Sequence, residues 1–540
     1  MAEPDIPSPP FGALRRTIRV AGSTWTGVVL IGTIAVYLAA ASLLAATRPD
    51  VLEALGTGAD DVFSHWLLVA LEAMLCVNVV TATITRIPLS LPRLGAWLCH
   101  AGVIVLAIGS AWYALARVRG DCATWRTPDG WTPINHFYVE RTAAMYVWDE
   151  PKSQREQEKP PYQTPITELR IDRTGNQSLN TAISAPPDMD IRAKGFFARA
   201  RLSYQWRDTS PNEVHAVMLR VSDGDSAGTV VLCPVFPDSA HYSGGDYLLV
   251  YRPDATPELR ERMVRTTRPH KGPSERFVVA GILTGRNMPP TLVLARPDGS
   301  RWQAPLAVGE TMDVPLTFLR VSVISPLSPL LPCLEIPIPE RTISIKPIAF
   351  LTHAGRVYQA APSEKDAPSA GPVLEVEVAK GNWRQTTYLP FAGYEELSYP
   401  QRMDLPGGQV LYLAFSRVRK ALDAEVQVLI AEYQTYPASV VPKDFLCQLE
   451  ISAKDERRSE LLSLNNPVQV GPYQLSQGTW GPTPERVTEI CLLVASRPGL
   501  GVIWAGLVMI SIGLPYAFYV KPLILRRRAR CAGGQANTGA

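Results

Sequence analysis

Four long apolar runs, three near the N-terminus and one near the C-terminus, constrain this 540-residue chain more than any other feature. They are Thr24–Thr47, Trp66–Thr85, Trp97–Ala116 and Gly499–Val520, each near the roughly 20 residues that a helix needs to cross a bilayer. No charge lies between Arg19 and Arg48, and the second run carries a single acid, Glu72. The long middle, Gly120 to Pro498, contains no such run and has to bury its own core. The expectation is therefore an integral-membrane α protein with four transmembrane helices and a large all-β, sandwich-like exported domain between helices 3 and 4. Its parts are a cytoplasmic segment (1–23), three helices (24–119, spanning about 24–47, 66–85 and 97–116), the exported domain (120–498), a fourth helix (499–520) and a basic cytoplasmic tail (521–540). Lys+Arg 53 against Asp+Glu 50 leaves a net charge of +3, which supplies no basic field for nucleic acid.

Flanking Lys and Arg set the orientation. Arg15, Arg16 and Arg19 precede the first run, Arg86 and Arg93 separate the second from the third, and Lys521, Arg526, Arg527, Arg528 and Arg530 follow the fourth. The loop after the first run carries Asp50, Glu53, Asp60 and Asp61 against Arg48 alone. Both termini are thus expected in the cytoplasm, with Arg117 and Arg119 the dissenting pair. A cleaved signal peptide with Arg15-Arg16 as a twin-arginine signal is the rival reading, but the first run is about twice the length of a signal h-region.

The middle alternates short β-prone runs with turn chemistry. Val214–Val221, Thr229–Val235, Tyr247–Tyr251, Phe277–Leu283, Thr291–Ala295, Leu316–Ile324, Thr342–Ala349, Val373–Val378, Gln409–Phe415 and Glu425–Tyr433 read as strands. Ser222-Asp223-Gly224, Pro297-Asp298-Gly299 and Pro406-Gly407-Gly408 read as turns. Absence of a 20–50-residue repeat disfavours a propeller. The segment carries no nucleophile elbow, zinc-protease helix, P-loop or dinucleotide fingerprint, so no catalytic residue is assigned. Cys122, Cys233, Cys333, Cys447 and Cys491 are widely spaced and the chain has no C-x-x-C, which argues against thiol exchange while leaving one or two structural disulfides open.

Polar groups inside apolar runs carry more information, because an ionisable side chain in lipid costs about 2.5–3.5 kcal/mol on insertion scales. His100 sits one turn inside the third run, in Trp97-Leu98-Cys99-His100-Ala101-Gly102. Its imidazole is suited either to binding a metal or haem iron or to hydrogen bonding a neighbouring helix. Glu72 and His65 are seven residues apart, on one helix face, and form a candidate intramembrane polar face; the competing reading of His65 is a water-facing cap.

The arrangement resembles the ResB (CcsB) family of system II cytochrome c biogenesis proteins. Phe63-Ser64-His65-Trp66, Val77-Asn78-Val79-Val80, Arg86 and Pro88 are similar to the family's second span, and Gly95, Leu98-Cys99-His100-Ala101-Gly102 and Gly109 to its third. Leu464-Asn465-Asn466-Pro467, Tyr473 and Gln477, then Pro498-Gly499, Trp504, Gly506, Gly513 and Phe518-Tyr519, resemble its C-terminal segment and last span. Glu72 replaces the family's usual aliphatic residue, and Gly471-Pro472 departs from its Lys-Gly-Tyr.

The resemblance implies a membrane subunit of a cytochrome c synthetase in the bacterial cytoplasmic (inner) membrane. It would carry haem b across the bilayer, transiently and shared with a CcsA-type haem-presenting partner, for attachment to apocytochrome c. A thioredoxin-like thiol reductant is a further implied partner. His100 matches the family's haem-ligating position. Asn465, Pro467, Tyr473 and Gln477 are expected to dock the exported domain onto the helices. Such a chain would be an accessory rather than a catalytic subunit. Two other functions compete: an anchored scaffold that binds no haem, and a proton or small-solute path built on Glu72 and His65.

Overall fold

The computed structural model describes residues 19–48, 51–52, 62, 65–149, 162–171, 175–224, 226–243, 247–253, 278–285, 288–295, 301–316, 321–323, 334–336, 341–363, 370–395, 400–436, 442–453, 456–483 and 486–536. The chain divides into two compact units: one comprises residues 1–142, 172–174 and 417–540, the other 143–171 and 175–416.

The first unit holds the helices. Thr24–Thr47 (α1), Trp66–Arg86 (α2), Leu94–Ala116 (α3) and Leu500–Pro515 (α4) form, with α3 entered through a 3-10 turn at Leu91–Arg93. Among the described residues, four helical segments are long and apolar enough to cross a membrane: Thr24–Thr47, Trp66–Arg86, Leu91–Ala116 and Leu500–Arg528. Their large apolar side chains face outward, as Leu115 does at 88% exposure, which is the opposite of a water-soluble bundle. The last segment stays helical beyond residue 520, into the basic tail. After Pro515 the helix loosens into a π turn, Tyr516–Val520, and continues as Lys521–Ala536 (α5). Proline has no amide hydrogen for the helical ladder, and a π turn is one way to accommodate the local mismatch.

α3 and α4 pack antiparallel along a glycine seam. Gly95, Gly102 and Gly109 on α3 face Gly513, Gly506 and Gly499 at the α4 side, so both sets step by seven residues in opposed order. A Cβ on Gly102 would lie 2.8 Å from the Gly506 carbonyl oxygen, and one on Gly506 2.7 Å from that of Gly102. A seven-residue step is 3.5 residues per turn, which keeps one stripe facing its partner over several turns. Gly499 also has φ +78°, a left-handed conformation that L side chains seldom adopt.

The helix pair leads directly into a strand pair. Strand Arg119–Thr127 follows α3 and pairs antiparallel with Arg486–Ser496, which leads back into α4. At the junction the Ser496 amide donates to Val118 O at 2.9 Å, and the Val118 amide donates to the Ser496 hydroxyl at 2.9 Å. Arg486–Ser496 pairs in turn with Tyr473–Thr483, and that strand with Val468–Val470. Phe137, Cys447, Leu449, Leu475, Ile490 and Leu492 lie in the core of this unit, each fully buried.

The second unit is strand and turn in its described residues, apart from a single 3-10 turn at Pro237–Ser239. Asp190–Asp208 pairs antiparallel with Ala354–Pro362 and with Gly371–Lys380, which continues to Trp383–Ala392. A second sheet runs Met312–Leu316, Arg341–Leu351, Ala216–Asp223 and Ser226–Leu232. A third runs Arg301–Pro305, Met288–Ala295, Val278–Gly285, Tyr247–Arg252 and His241–Ser243, with one parallel pair, Tyr247–Arg252 beside Val278–Gly285. The second and third sheets share a core of Val217, Leu219, Tyr247, Leu249, Ile282 and Ile343, which is sandwich packing.

Most expected strands recur within a few residues of their sequence limits. Ser222-Asp223-Gly224 closes a hairpin with Gly224 at φ +58°, and Gly407 and Gly408 turn with φ +89° and +82°. The Pro297-Asp298-Gly299 turn lies outside the described residues. Of Leu316–Ile324, residues 317–320 and 324 lie outside the description; Met312–Leu316 and Val321–Val323 are separate strands. Gln409–Phe415 and Glu425–Tyr433, expected as two strands, are one strand, Val410–Thr435. Arg417, Arg419, Lys420 and Asp423 interrupt the apolar pattern in sequence, yet Val418, Leu422 and Ala424 beside them stay buried. Arg417 is accommodated by a bidentate ion pair with Asp121, at 2.6 and 2.8 Å.

Candidate functional site

The site centres on the face of α3 that meets α2. Cys99 lies on the glycine seam, where a Cβ on Gly513 would come 2.7 Å from its sulfur. His100, one residue on, turns about 100° around the helix and meets α2 instead. Its Nδ1 lies 2.5 Å from the Thr83 hydroxyl oxygen. That hydroxyl has one proton, and it donates it to the Val79 carbonyl oxygen at 2.6 Å. The contact with His100 therefore needs the hydrogen on Nδ1, and in the neutral ring Nε2 then carries the lone pair. Thr83 is buried while His100 is half-buried. A ring held through one nitrogen with the other free is the arrangement by which proteins present a histidine to a metal, and it is equally a satisfied helix-to-helix hydrogen bond.

A haem iron takes imidazole through a nitrogen lone pair, so the donor set at His100 fits one axial position. No group of three or more His, Cys, Asp or Glu side chains suited to a metal is found among the described residues. His65, the other histidine of the helical region, is the N-cap of α2, accepting from the Leu67 amide at Nδ1 over 3.3 Å. It precedes Thr83 by eighteen residues, about 27 Å along the helix at 1.5 Å per residue, and cannot share a haem with His100. Glu72 is exposed on α2, and no hydrogen bond joins it to His65 among the described residues.

Among the described residues, the side-chain hydrogen bonds that join one helical segment to another collect at one end. Asn78, buried in α2, donates through Nδ2 to the carbonyl oxygens of Ala21 (2.5 Å) and Ser23 (3.0 Å) at the start of α1. A Cβ on Gly27 of α1 would sit 2.7 Å from the Asn78 amide oxygen, so glycine is needed there. Arg86 donates to the Thr24 hydroxyl at 2.9 Å, and the Tyr516 hydroxyl donates to Leu91 O at 2.9 Å. These bonds bring Arg19, Arg86, Arg93 and Lys521 to the His100 end, whereas the strands attach at the opposite end of α3 and α4.

The C-terminal residues separate. Tyr473 begins its strand beside the end of α3 and packs edge-on against Phe137, with ring centroids 4.8 Å apart. Gln477 lies four residues further from the helices, about 13 Å along the strand, and donates to Phe445 O at 2.5 Å. Asn465 and Pro467 are exposed around a tight turn closed by Ser463 and Asn466. Of the four residues expected to dock the domain, Tyr473 lies beside the helix ends and the strand places the others further from them.

Among the described residues Cys76, Cys99, Cys233 and Cys447 are free thiols. Burial pushes the Cys233 thiol up to about 11 and Cys447 to about 12, so neither is a thiolate near neutral pH. Cys333 lies outside the described residues. Thr83 and the glycine pairing were not anticipated from sequence; the shared seven-residue step of the glycines was the available signal. A scan against protein-family models and a search of curated proteins find no match to this chain.

Proposed function

We propose that this chain is a membrane subunit that presents one histidine, His100, to haem iron, and that it works with a partner in cytochrome c maturation. The observation that supports this is the Val79–Thr83–His100 hydrogen-bond chain, which keeps the hydrogen on Nδ1 and leaves Nε2 as a ligand. Thr83 holds the ring, the α3–α4 seam holds the backbone beneath it, and the apolar helix surface excludes water. Bound haem would be the cargo attached to the apocytochrome. His65 is too distant to complete the iron's ligands, so a CcsA-type chain supplies the second.

The same end of the molecule supports an orientation. Arg19, Arg86, Arg93 and Lys521 gather near His100, and the positive-inside rule assigns that end to the cytoplasm. Both termini would then be cytoplasmic and the strand-rich region exported in a bacterial inner membrane. Reporter fusions at the two termini test this, and an exported C-terminus contradicts it.

The second reading is a membrane-anchored scaffold that binds no haem. It is favoured by the same Thr83–His100 contact, which satisfies the imidazole as a packing group. The two readings separate on the visible spectrum of the complex purified with its partner. Under the first, a Soret band depends on His100; under the second, a well-folded complex lacks it.

A further inference from the structure

A cavity of about 500 Å³ opens where α3 ends and α4 begins. Ala116 and Leu500 form its helix side, while Tyr473, Gln474 and Arg497 are among the residues that line it from the strand side. Trp112 and Trp504 each lie one turn further into their helices, 52% and 60% exposed. Exposed tryptophans at matching depth on two candidate spans mark the level of lipid headgroups, and the cavity is just on the water side of that level. Leu115, almost fully exposed, offers apolar surface beside it for acyl chains.

The polar groups ask for a ligand with two kinds of atom. Arg497 brings only donors, and no ion pair holds it among the described residues. Burial, with Asp423 nearby, pushes the Tyr473 hydroxyl up, so it stays protonated and is able to donate. Gln474 supplies the opposite need: its Oε1 is a buried acceptor with no hydrogen-bond partner. A matching ligand carries an anion for Arg497 and Tyr473 and an N–H or O–H for Gln474. Phosphatidylethanolamine and phosphatidylglycerol have both, whereas phosphatidylcholine has the phosphodiester and no donor.

We propose that this cavity binds the headgroup of a donor-bearing phospholipid, its phosphodiester on Arg497 and Tyr473 and its ammonium or glycerol hydroxyl on Gln474. The inference rests on the helices crossing a bilayer and is independent of haem. Such a lipid would tie the strand region to the helix ends where the chain passes between them.

The test is native mass spectrometry of the full chain extracted from vesicles of equal phosphatidylethanolamine, phosphatidylglycerol and phosphatidylcholine. Expected is one retained lipid, with the two donor-bearing classes favoured over phosphatidylcholine by about tenfold, the value of one buried acceptor satisfied. Gln474→Leu should abolish the preference while keeping a lipid, and Arg497→Gln, at an exposed position, should reduce retention of every class. Thermal melting of both variants checks their fold. Equal retention of phosphatidylcholine, or no retained lipid on a folded chain, overturns the proposal. Stabilisation by soluble glycerol 3-phosphate as large as by lipid overturns it also, and identifies a free-phosphate site.

Discussion

The two faces of α3 are built in opposite ways. Toward α4 it presents glycine, and the two backbones approach so closely that a Cβ at Gly95, Gly102 or Gly109 would sit 2.7–2.8 Å from the partner helix. Toward α2 the contact given by hydrogen bonding is a side chain, His100 on Thr83. A glycine seam is rigid because it leaves no rotamers to move, and for the same reason it has no chemical group to offer. A looser, side-chain-mediated face costs packing but leaves an imidazole partly exposed. One helix thus has a fixed side and a presenting side, and the fixed side sets where the ring stands.

That comparison breaks first at the seam. Gly102→Leu should destabilise the chain by about 3 kcal/mol, since overpacking has only backbone to displace there. A fall in the unfolding temperature in detergent checks it, and an unchanged temperature means that the helices are not in close contact. On the other face, Thr83→Val keeps the shape and removes the hydroxyl that holds Nδ1. We expect iron binding by the complex to weaken by about 10–100-fold, with little change in melting, because an outer-shell partner tunes a ligand more than it holds a fold. Haem titration followed by absorbance measures this. Equal binding would make Thr83 a bystander.

Smaller effects sharpen the contrast. Asn78→Ala removes donors from the carbonyl oxygens of Ala21 and Ser23 and should cost about 1 kcal/mol, the usual worth of an interhelical hydrogen bond. Gly32→Ala is the counter-case. No atom lies within 4 Å of a Cβ at Gly32, so this substitution should be neutral or stabilise by about 0.5–1 kcal/mol through helix propensity. If Gly32→Ala and Gly102→Leu melt alike, glycine is not acting by close approach.

Sequence alone made the helices legible because apolar runs are local. Thr24–Thr47 reads with the limits that the structure gives, and the second and third runs differ by at most three residues at either end. Most strands were legible for the same reason, since side-chain alternation and turn glycines are short-range signals. What the sequence hid is long-range. The glycines of α3 and α4 are about 400 residues apart, and their seven-residue step has meaning only once the helices are antiparallel. Thr83 reads as an ordinary residue of an apolar run until α3 folds beside it. Val410–Thr435 read as two strands because charges interrupt its pattern, and the partner of the first of them, Arg417, is Asp121, some 300 residues earlier. The candidate site was legible as a single residue, His100, and its ring orientation was not.

The central claim is that His100 is a haem ligand rather than a packing residue. The direct test is the visible absorption spectrum of the purified complex with its partner, for the wild-type chain and for His100→Ala. The account predicts a Soret band in the wild type that is lost or strongly reduced in His100→Ala at equal protein level and unchanged melting temperature. A band of equal intensity in both, or none in either from a folded complex, contradicts it.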